Sequence, residues 1–469
     1  MTAREQRIID KSWAKSFAEI IFSVIDESPY AVLYSDLDSR PNSLVNVTVG
    51  ALIIKELTGS TDDEILESLM FDIRYQYALH TTHFEEQPLS DRTLGRFHER
   101  CRIYEEETGI DLIHETVVSL TDEMSKLMKI DRQLKRMDIL MVASNIKKMS
   151  RLELLYTCVS NLVKRIVTIK MEIPENLQHY RQTEDRNIVF YHNRSDETQT
   201  RIDTVLKDAS LLMKLCHCQF DESSEYMLLV RVLKEQTVKD EEGNYHLKEV
   251  GAEGLNGSIL QNPSNPDATY REKAGKQYRG YIANVIEDTC ENGSLVMDYQ
   301  YEQNIHSDSP FTKETIEQLG QQTEKVTIVA DGAFSGSNNK ELDATNNIEL
   351  VYTNLTGKAS PDIYADFKFN ENGTNVIQCA GGFSPKSCCY NAKNGQCVDS
   401  FERSQCDSCP FKKQCNTKLN KRTARKTISL NGKNRVQQQR YRSTDEFKKF
   451  SAFRNGVEMI PSILQENMI

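Results

Sequence analysis

The run KVTIVADGAFSG, residues 325–336, constrains the fold more than any other stretch. Val326, Ile328 and Val329 make a short, continuously apolar strand. Such strands are buried on both faces, so this one calls for a mixed or parallel sheet covered by helices. The strand stops at an acid, Asp331, followed at once by Gly332 and Ala333. A carboxylate there is costly unless it is paired, hydrated or metal-bound. It either caps the next turn through the backbone or holds a metal at the sheet edge with partners from elsewhere in the chain.

The surrounding pattern is α/β. QLKRMDILMVASNIKKMSRLELL places Asp138 inside a β-prone apolar run, and helical periodicity follows from about 150 to 235. KQYRGYIANVIEDTCENGSLVMDYQYEQ reads as two strands joined at Asn292-Gly293, a strong hairpin signal. SPFTKETIEQLG reads as a helix, and KVTIVADGAF and NIELVYTNLTG as further strands. The order predicts a mixed sheet with a helical insertion after its first strand.

Residues 1 to about 130 read as helical. SLVNVTVGALIIKELTGS stops at Gly59, a C-terminal cap, and TDDEILESLMFDIRYQYAL opens with Thr61 and Glu64 in capping-box spacing. PLSDRTLGRFHERC predicts a third helix from near Ser90, with Arg92, Arg96 and Arg100 four residues apart on one face. This suits either a helix-turn-helix-like DNA reader or a helical bundle with a solvated basic face.

At 469 residues the chain is long enough for two to four domains. Its net charge of −11 does not advertise a nucleic-acid partner globally, so any DNA contact must be local. No apolar run reaches the roughly 18–20 residues of a membrane span, and the start lacks a signal-peptide pattern; the expectation is a soluble, cytoplasmic protein. Seven of the twelve cysteines lie between Cys379 and Cys415. CDSCPFKKQC supplies Cys406, Cys409 and Cys415, a CxxC with a third thiol, which suits structural zinc if a fourth ligand joins and otherwise reads as reduced thiols. The CHC at Cys216 to Cys218 lies on a helical pattern and reads as core. The stretch Lys412 to Arg442 is basic and nearly free of acids, fit for a solvated linker or for phosphate contacts.

STDEFKKFSAFRNGVEMIPSIL predicts a closing helix, with Ser443 and Glu446 as capping box and Phe447, Phe450, Phe453, Val457, Ile460 and Leu464 as its apolar stripe; Pro461 should kink it. Glu458 lies beside the stripe with Arg454 one turn earlier. Asp138, Asp331 and Glu458 thus share one context. Converging carboxylates repel unless they share protons or bind a cation, and two Mg²⁺ ions about 3.5–4 Å apart would suit phosphoryl displacement.

Several strings in order resemble the DDE transposases of bacterial insertion sequences, in the branch with a helical N-terminal transposase domain and a Cys-rich segment before the last acid. They are VGALIIKELTGSTDDEILESLMFDIRYQYAL, PLSDRTLGRFHERC, MDILMVASNIKKMSRLELL, NPDATYREKAGKQYRGYIANV, VTIVADGAFSG, the run Cys379 to Cys415, and FRNGVEMIPSIL. The resemblance implies an RNase H-like catalytic core in which Asp138, Asp331 and Glu458 hold Mg²⁺ or Mn²⁺, and Cys379 as the fourth zinc ligand, with Cys388, Cys389 and Cys397 as competitors. It implies double-stranded DNA as partner, namely terminal inverted repeats and target, and a homo-oligomer on it. Within the relatives' Tyr, Arg, Glu, Lys signature, Arg454 and Glu458 fit, while Ser451 and Gln465 stand at the Tyr and Lys places. The chain ends at Ile469, eleven residues past Glu458, which predicts a shortened closing helix.

The expected organisation is a DNA-binding domain at 1–130, a core at 131–370 interrupted at about 150–235, a Cys-rich basic insertion at 371–442, and the catalytic helix at 443–469. Expected DNA contacts are Arg92, Arg96, Arg100, Lys273, Lys276, Arg279, Lys421, Arg422, Arg425 and Arg454. The expected activity is metal-dependent cleavage and strand transfer. The alternatives are an inactive DNA-binding derivative of such an element, or a nuclease on the same fold.

Overall fold

The computed structural model describes residues 2–34, 44–130, 132–191, 197–216, 220, 222–273, 275–290, 293–335, 346–353 and 360–455. The chain is mixed α/β and divides into two compact units. One comprises 1–138, 286–298 and 315–469; the other comprises 139–285 and 299–314.

In the first unit, the N-terminal part is helical as its periodicity predicts. Helices Val45–Thr58 and Asp62–Phe71 are separated by Gly59, whose φ of 64° closes the first. Thr61 and Glu64 cap each other's backbone at the start of the second, an arrangement worth about 1 kcal/mol. The third long helix is Thr93–Thr108, beginning three residues later than expected from Ser90. Its Leu94, Phe97 and Cys101 face a core that also takes Ile54, Ile65, Leu69 and Tyr30. Helix Leu112–Met128 follows.

The chain then enters the main sheet with β1 (Leu134–Ala143). Beyond β1, in the second unit, helices Arg151–Thr168, Glu197–Cys216 and Ser224–Gln236 bury a shared stripe that includes Leu155, Val159, Leu162, Leu206, Leu212, Leu229 and Val232. Cys216 is buried in it, as the helical pattern predicts; Cys218 lies outside the described residues. A small hairpin of β2 (Thr237–Lys239) and β3 (Tyr245–Leu247) closes this helical insertion.

Next come β4 (Thr269–Lys273), β5 (Lys276–Cys290), β6 (Gly293–Gln303), helix Asp308–Leu319, β7 (Val326–Ala330) and β8 (Ile348–Tyr352). The expected hairpin is the pair β5 and β6; Asn292 of its turn lies outside the described residues. Among the described residues the sheet order is β4-β5-β1-β7-β8, with β6 also pairing β5. β7 runs parallel to both β1 and β8. β7, apolar at every position but Thr327, is therefore an inner strand, which is why it carries no regular polar alternation.

Gly280 of β5 shows how tightly the backbones approach. At its φ of 145°, a Cβ would stand 2.3 Å from the Val142 carbonyl oxygen and 2.6 Å from the Ser144 nitrogen. Both contacts are backbone, so nothing flexible can yield. Gly280→Ala is expected to cost about 2 kcal/mol or more, read as a lower urea midpoint. An unchanged midpoint would show that the strands can separate there without cost.

The Cys-rich region is folded throughout. A hairpin of β9 (Lys368–Phe369) and β10 (Val376–Gln378) leads into a sheet ordered β11-β12-β14-β13, made of Ser387–Asn391, Gln396–Glu402, Thr423–Ser429 and Lys418–Leu419. The basic stretch is thus not a linker: it forms β13, β14 and helix Leu430–Tyr441. β14 alternates, with Ala424, Lys426 and Ile428 buried while Arg425 and Thr427 face out; the buried Lys426 ammonium donates to the Cys415 carbonyl.

The closing helix runs from Asp445 to Asn455 within the described residues. At its start the Thr444 hydroxyl accepts from the Phe447 N–H at 3.3 Å; the side chain of Glu446, half of the expected Ser443–Glu446 capping box, lies outside the described residues. Ser443 donates to the Arg440 carbonyl, ending the preceding helix. Phe447, Phe450 and Phe453 pack with Val329, Val351 and Leu134, as their spacing predicts. Val457, Ile460, Pro461 and Leu464 lie outside the described residues, as does Glu458.

Candidate active site

β1 and β7 pair in the register Leu134 to Thr327, Lys135 to Ile328 and Arg136 to Val329. Continued by two residues, that register sets Asp138 beside Asp331. Side chains alternate along a strand, so Leu134, Arg136 and Asp138 share one face with Val329 and Asp331. The helix Asp445–Asn455 packs on that face through its phenylalanines.

One residue past Phe453, the Arg454 guanidinium reaches both acids. Its Nη2 lies 3.5 Å from Asp138 Oδ1 and 3.7 Å from Asp331 Oδ2. The side chains are 14% exposed for Arg454, 18% for Asp138 and 36% for Asp331, so this small acidic cleft is partly open to solvent. Asp331 leaves its strand into a short 3-10 turn, Gly332–Phe334, and makes no side-chain cap there. Its backbone carbonyl accepts from the Phe334 N–H, leaving the carboxylate directed to Arg454.

Two residues below Asp138, Arg136 anchors the site. Its guanidinium forks onto Glu287 of β5, with Nη2 2.8 Å from Oε1 and Nε on Oε2. Its Nη1 donates to the Phe453 carbonyl at 2.8 Å, and the group lies 5.4 Å from the Phe453 ring centroid. On the opposite face, Lys135 donates to Asp288 at 2.6 Å. One buried ion pair per face locks β1 against β5, because a one-residue slip would bring each cation to the wrong side. Sequence reasoning passed over this quartet. Its signal was there: adjacent cations inside one apolar strand and adjacent acids inside another.

The Cys-rich region brings the four expected thiols to one small cavity. Cys379 follows β10 in a tight turn, Cys406 lies in helix Arg403–Asp407, Cys409 just after it, and Cys415 ends helix Lys412–Cys415; all four line the cavity beside Gly381 and Phe383. Burial, and then the neighbouring thiols of Cys379, Cys415 and Cys409, push the Cys406 thiol up to about 11. A Cβ on Gly381 would stand 2.9 Å from Cys409 Sγ, so only glycine fits there without displacing the thiol. As they stand, no three His, Cys, Asp or Glu among the described residues are placed to hold a metal ion. The competing thiols lie elsewhere. Cys388 and Cys397 donate to the Thr374 and Gly373 carbonyls, on the strand face that carries buried Asp399, and Cys389 is exposed on the other face.

The expected DNA-contacting cations are surface residues with varied surroundings. Arg92, Arg96 and Arg100 are exposed, although the Arg100 guanidinium stacks 4.8 Å from the Tyr34 ring. Lys273 and Lys276 face each other at the β4–β5 turn, and Arg279 lies over Tyr270 at 5.1 Å. Lys421, Arg422 and Arg425 are exposed around β14. Arg454 differs from all of these: it is turned inward onto the acids.

Residues 6–100 match the family model described as Transposase domain (DUF772). The match covers helices Val45–Thr58 and Asp62–Phe71 and the first half of Thr93–Thr108, with Arg92, Arg96 and Arg100, and stops before Leu112–Met128. No curated protein matches the chain, and neither does any solved structure. The matched domain supports a transposase function, hence an enzyme that acts on DNA. No helix among the described residues is long and apolar enough to cross a membrane.

Proposed function

We propose that this chain is a DDE-type transposase that cuts and joins DNA at the inverted-repeat ends of an insertion sequence, on an RNase H-like core. The observation that carries the reading is the side-by-side placement of Asp138 and Asp331 on parallel strands, in a half-open cleft, beside a transposase-type domain. The sheet order supports the core assignment, with the first-acid strand central, the second-acid strand next to it and a hairpin on the other side.

Two adjacent carboxylates suit a hard divalent cation, which prefers oxygen ligands and keeps water or phosphate oxygens in its remaining positions. Asp138, Asp331 and Glu458 would hold Mg²⁺ or Mn²⁺, which when bound lowers the pKa of water and stabilises charge on a phosphoryl group. In the first displacement the water oxygen bonds to phosphorus, the P–O3′ bond breaks, and the released 3′ oxygen takes a proton. In the second, that 3′ hydroxyl bonds to a target phosphorus and displaces another 3′ oxygen. The exposed arginines of the N-terminal domain and the cations around β4, β5 and β14 supply phosphate contacts, which set register rather than sequence choice.

Purified protein with Mg²⁺ and a labelled duplex ending in the element's terminal repeat is expected to nick at the repeat boundary and, with target DNA, to form joined products. Nicking without joining would favour the nuclease, and binding without nicking the inactive DNA-binder.

The Cys-rich sheet is assigned a structural Zn²⁺ on Cys379, Cys406, Cys409 and Cys415, whose thiolate set fits tetrahedral zinc once the thiols draw together. One zinc per chain is expected by elemental analysis, and none in Cys409→Ser. Because the ligands must lose protons, zinc should be released as pH falls. Equal zinc content in both proteins would remove these ligands from consideration.

A further inference from the structure

Arg454 occupies an unusual place for a residue expected to grip DNA. It lies within 3.5 Å of one proposed metal ligand and 3.7 Å of another, at 14% exposure. Its Nε is buried and has no hydrogen-bond partner among the described residues. The guanidinium is therefore held by the two carboxylates on one edge and by nothing polar at Nε. We infer that Arg454 is a built-in competitor for the cation: its guanidinium offsets the charge of Asp138 and Asp331 and gives way when a divalent ion is held there. This rests on the two-acid site proposed above.

The physical argument is one of shared charge. Carboxylates brought together on adjacent strands repel, and a nearby cation relieves that repulsion. A guanidinium supplies that charge without leaving the polypeptide. Its Nη2 lies between the two acids, where a divalent ion would also be drawn. A divalent ion drawn to these carboxylates would stand within a few ångströms of the guanidinium, and the repulsion between the two cations favours displacement of Arg454. Metal entry thus releases a charged fork from the cleft, and a fork is well matched to a phosphate. Metal loading and DNA grip then become two ends of one exchange: a cation arriving at the acids frees a cation for the backbone.

The test is Mn²⁺ titration of the full chain without DNA, followed by electron paramagnetic resonance of free Mn²⁺, for wild type, Arg454→Gln and Arg454→Lys. Removing the competing charge is expected to tighten Mn²⁺ binding in Arg454→Gln by about tenfold. Arg454→Lys retains a cation and should stay near wild type, which controls for damage to the helix. The melting temperature of Arg454→Gln should also rise more on adding Mn²⁺ than that of wild type. Equal or weaker Mn²⁺ binding in Arg454→Gln, with site-specific binding still lost in Asp138→Asn, would overturn the competitor role and leave the metal site intact. Absence of Mn²⁺ binding in every protein would overturn the metal site itself, and the inference with it.

Discussion

Asp331→Asn is expected to reduce DNA nicking by about a thousandfold while leaving the protein folded. The substitution keeps shape and hydrogen-bonding size but removes one of the charges on which metal binding depends. A bound metal contributes several kcal/mol of transition-state stabilisation, and about 4 kcal/mol corresponds to roughly three powers of ten in rate. Stability should change by less than about 1 kcal/mol, because Asp331 is over a third exposed and pairs, among the described residues, through the long contact to Arg454. The turn that follows is held by backbone, through the Asp331 carbonyl, and survives the change. Asp138→Asn should behave alike. The measurements are single-turnover nicking with Mg²⁺ and a parallel gel-shift assay. Retained DNA binding with lost nicking fits the proposed role; a loss of less than tenfold would remove Asp331 from the reaction.

The second large effect concerns stability. Glu287→Ala would leave Arg136 charged and 8% exposed, with its main partner gone. Breaking a buried ion pair on one side typically costs about 3–5 kcal/mol, because the surviving charge stays desolvated. Replacing both residues, Arg136→Met with Glu287→Leu, removes the uncompensated charge and should recover most of that loss. Urea titration of the three proteins reads this directly. A single-substitution cost below about 1 kcal/mol would mean that water reaches the pair. The double variant carries a further expectation: without Arg136 the Phe453 carbonyl loses its donor, so Arg454 is less firmly aimed and nicking should fall even where stability is restored.

These two cases show which parts of the site could be read ahead of the structure. Asp331 was legible because an acid ending a wholly apolar strand is locally anomalous, and Asp138 because it interrupts a β-prone run. Their adjacency was not legible, since register between strands almost two hundred residues apart depends on partners that neither string names. The Arg136–Glu287 and Lys135–Asp288 pairs were missed for the same reason: adjacent charges inside each apolar strand mark the residues, but which strand answers which emerges only when the two are set side by side. The Thr61 capping box was recovered because all its atoms lie within four residues. At the closing helix Ser443 and Thr444 both donate back to the preceding helix, and the hydroxyl that accepts from Phe447 N–H is that of Thr444, a choice between adjacent hydroxyls that spacing alone leaves open. Glu458, the third acid of the proposed set, falls outside the described residues and stands on the sequence resemblance alone.

The hydrogen bond from Arg136 to the Phe453 carbonyl spans 317 positions of chain. A ribosome adding 5–20 residues per second therefore makes Phe453 roughly 15 to 60 s after Arg136. Throughout that interval the strand bearing Asp138 exists without the helix that covers it, and loop-closure entropy makes such distant contacts late to form even once both are present. For the proposed DNA-cutting activity this sets an order: both acids are made long before the helix Asp445–Asn455 that packs over them, so the cleft is incomplete until Phe453 and Arg454 have been added.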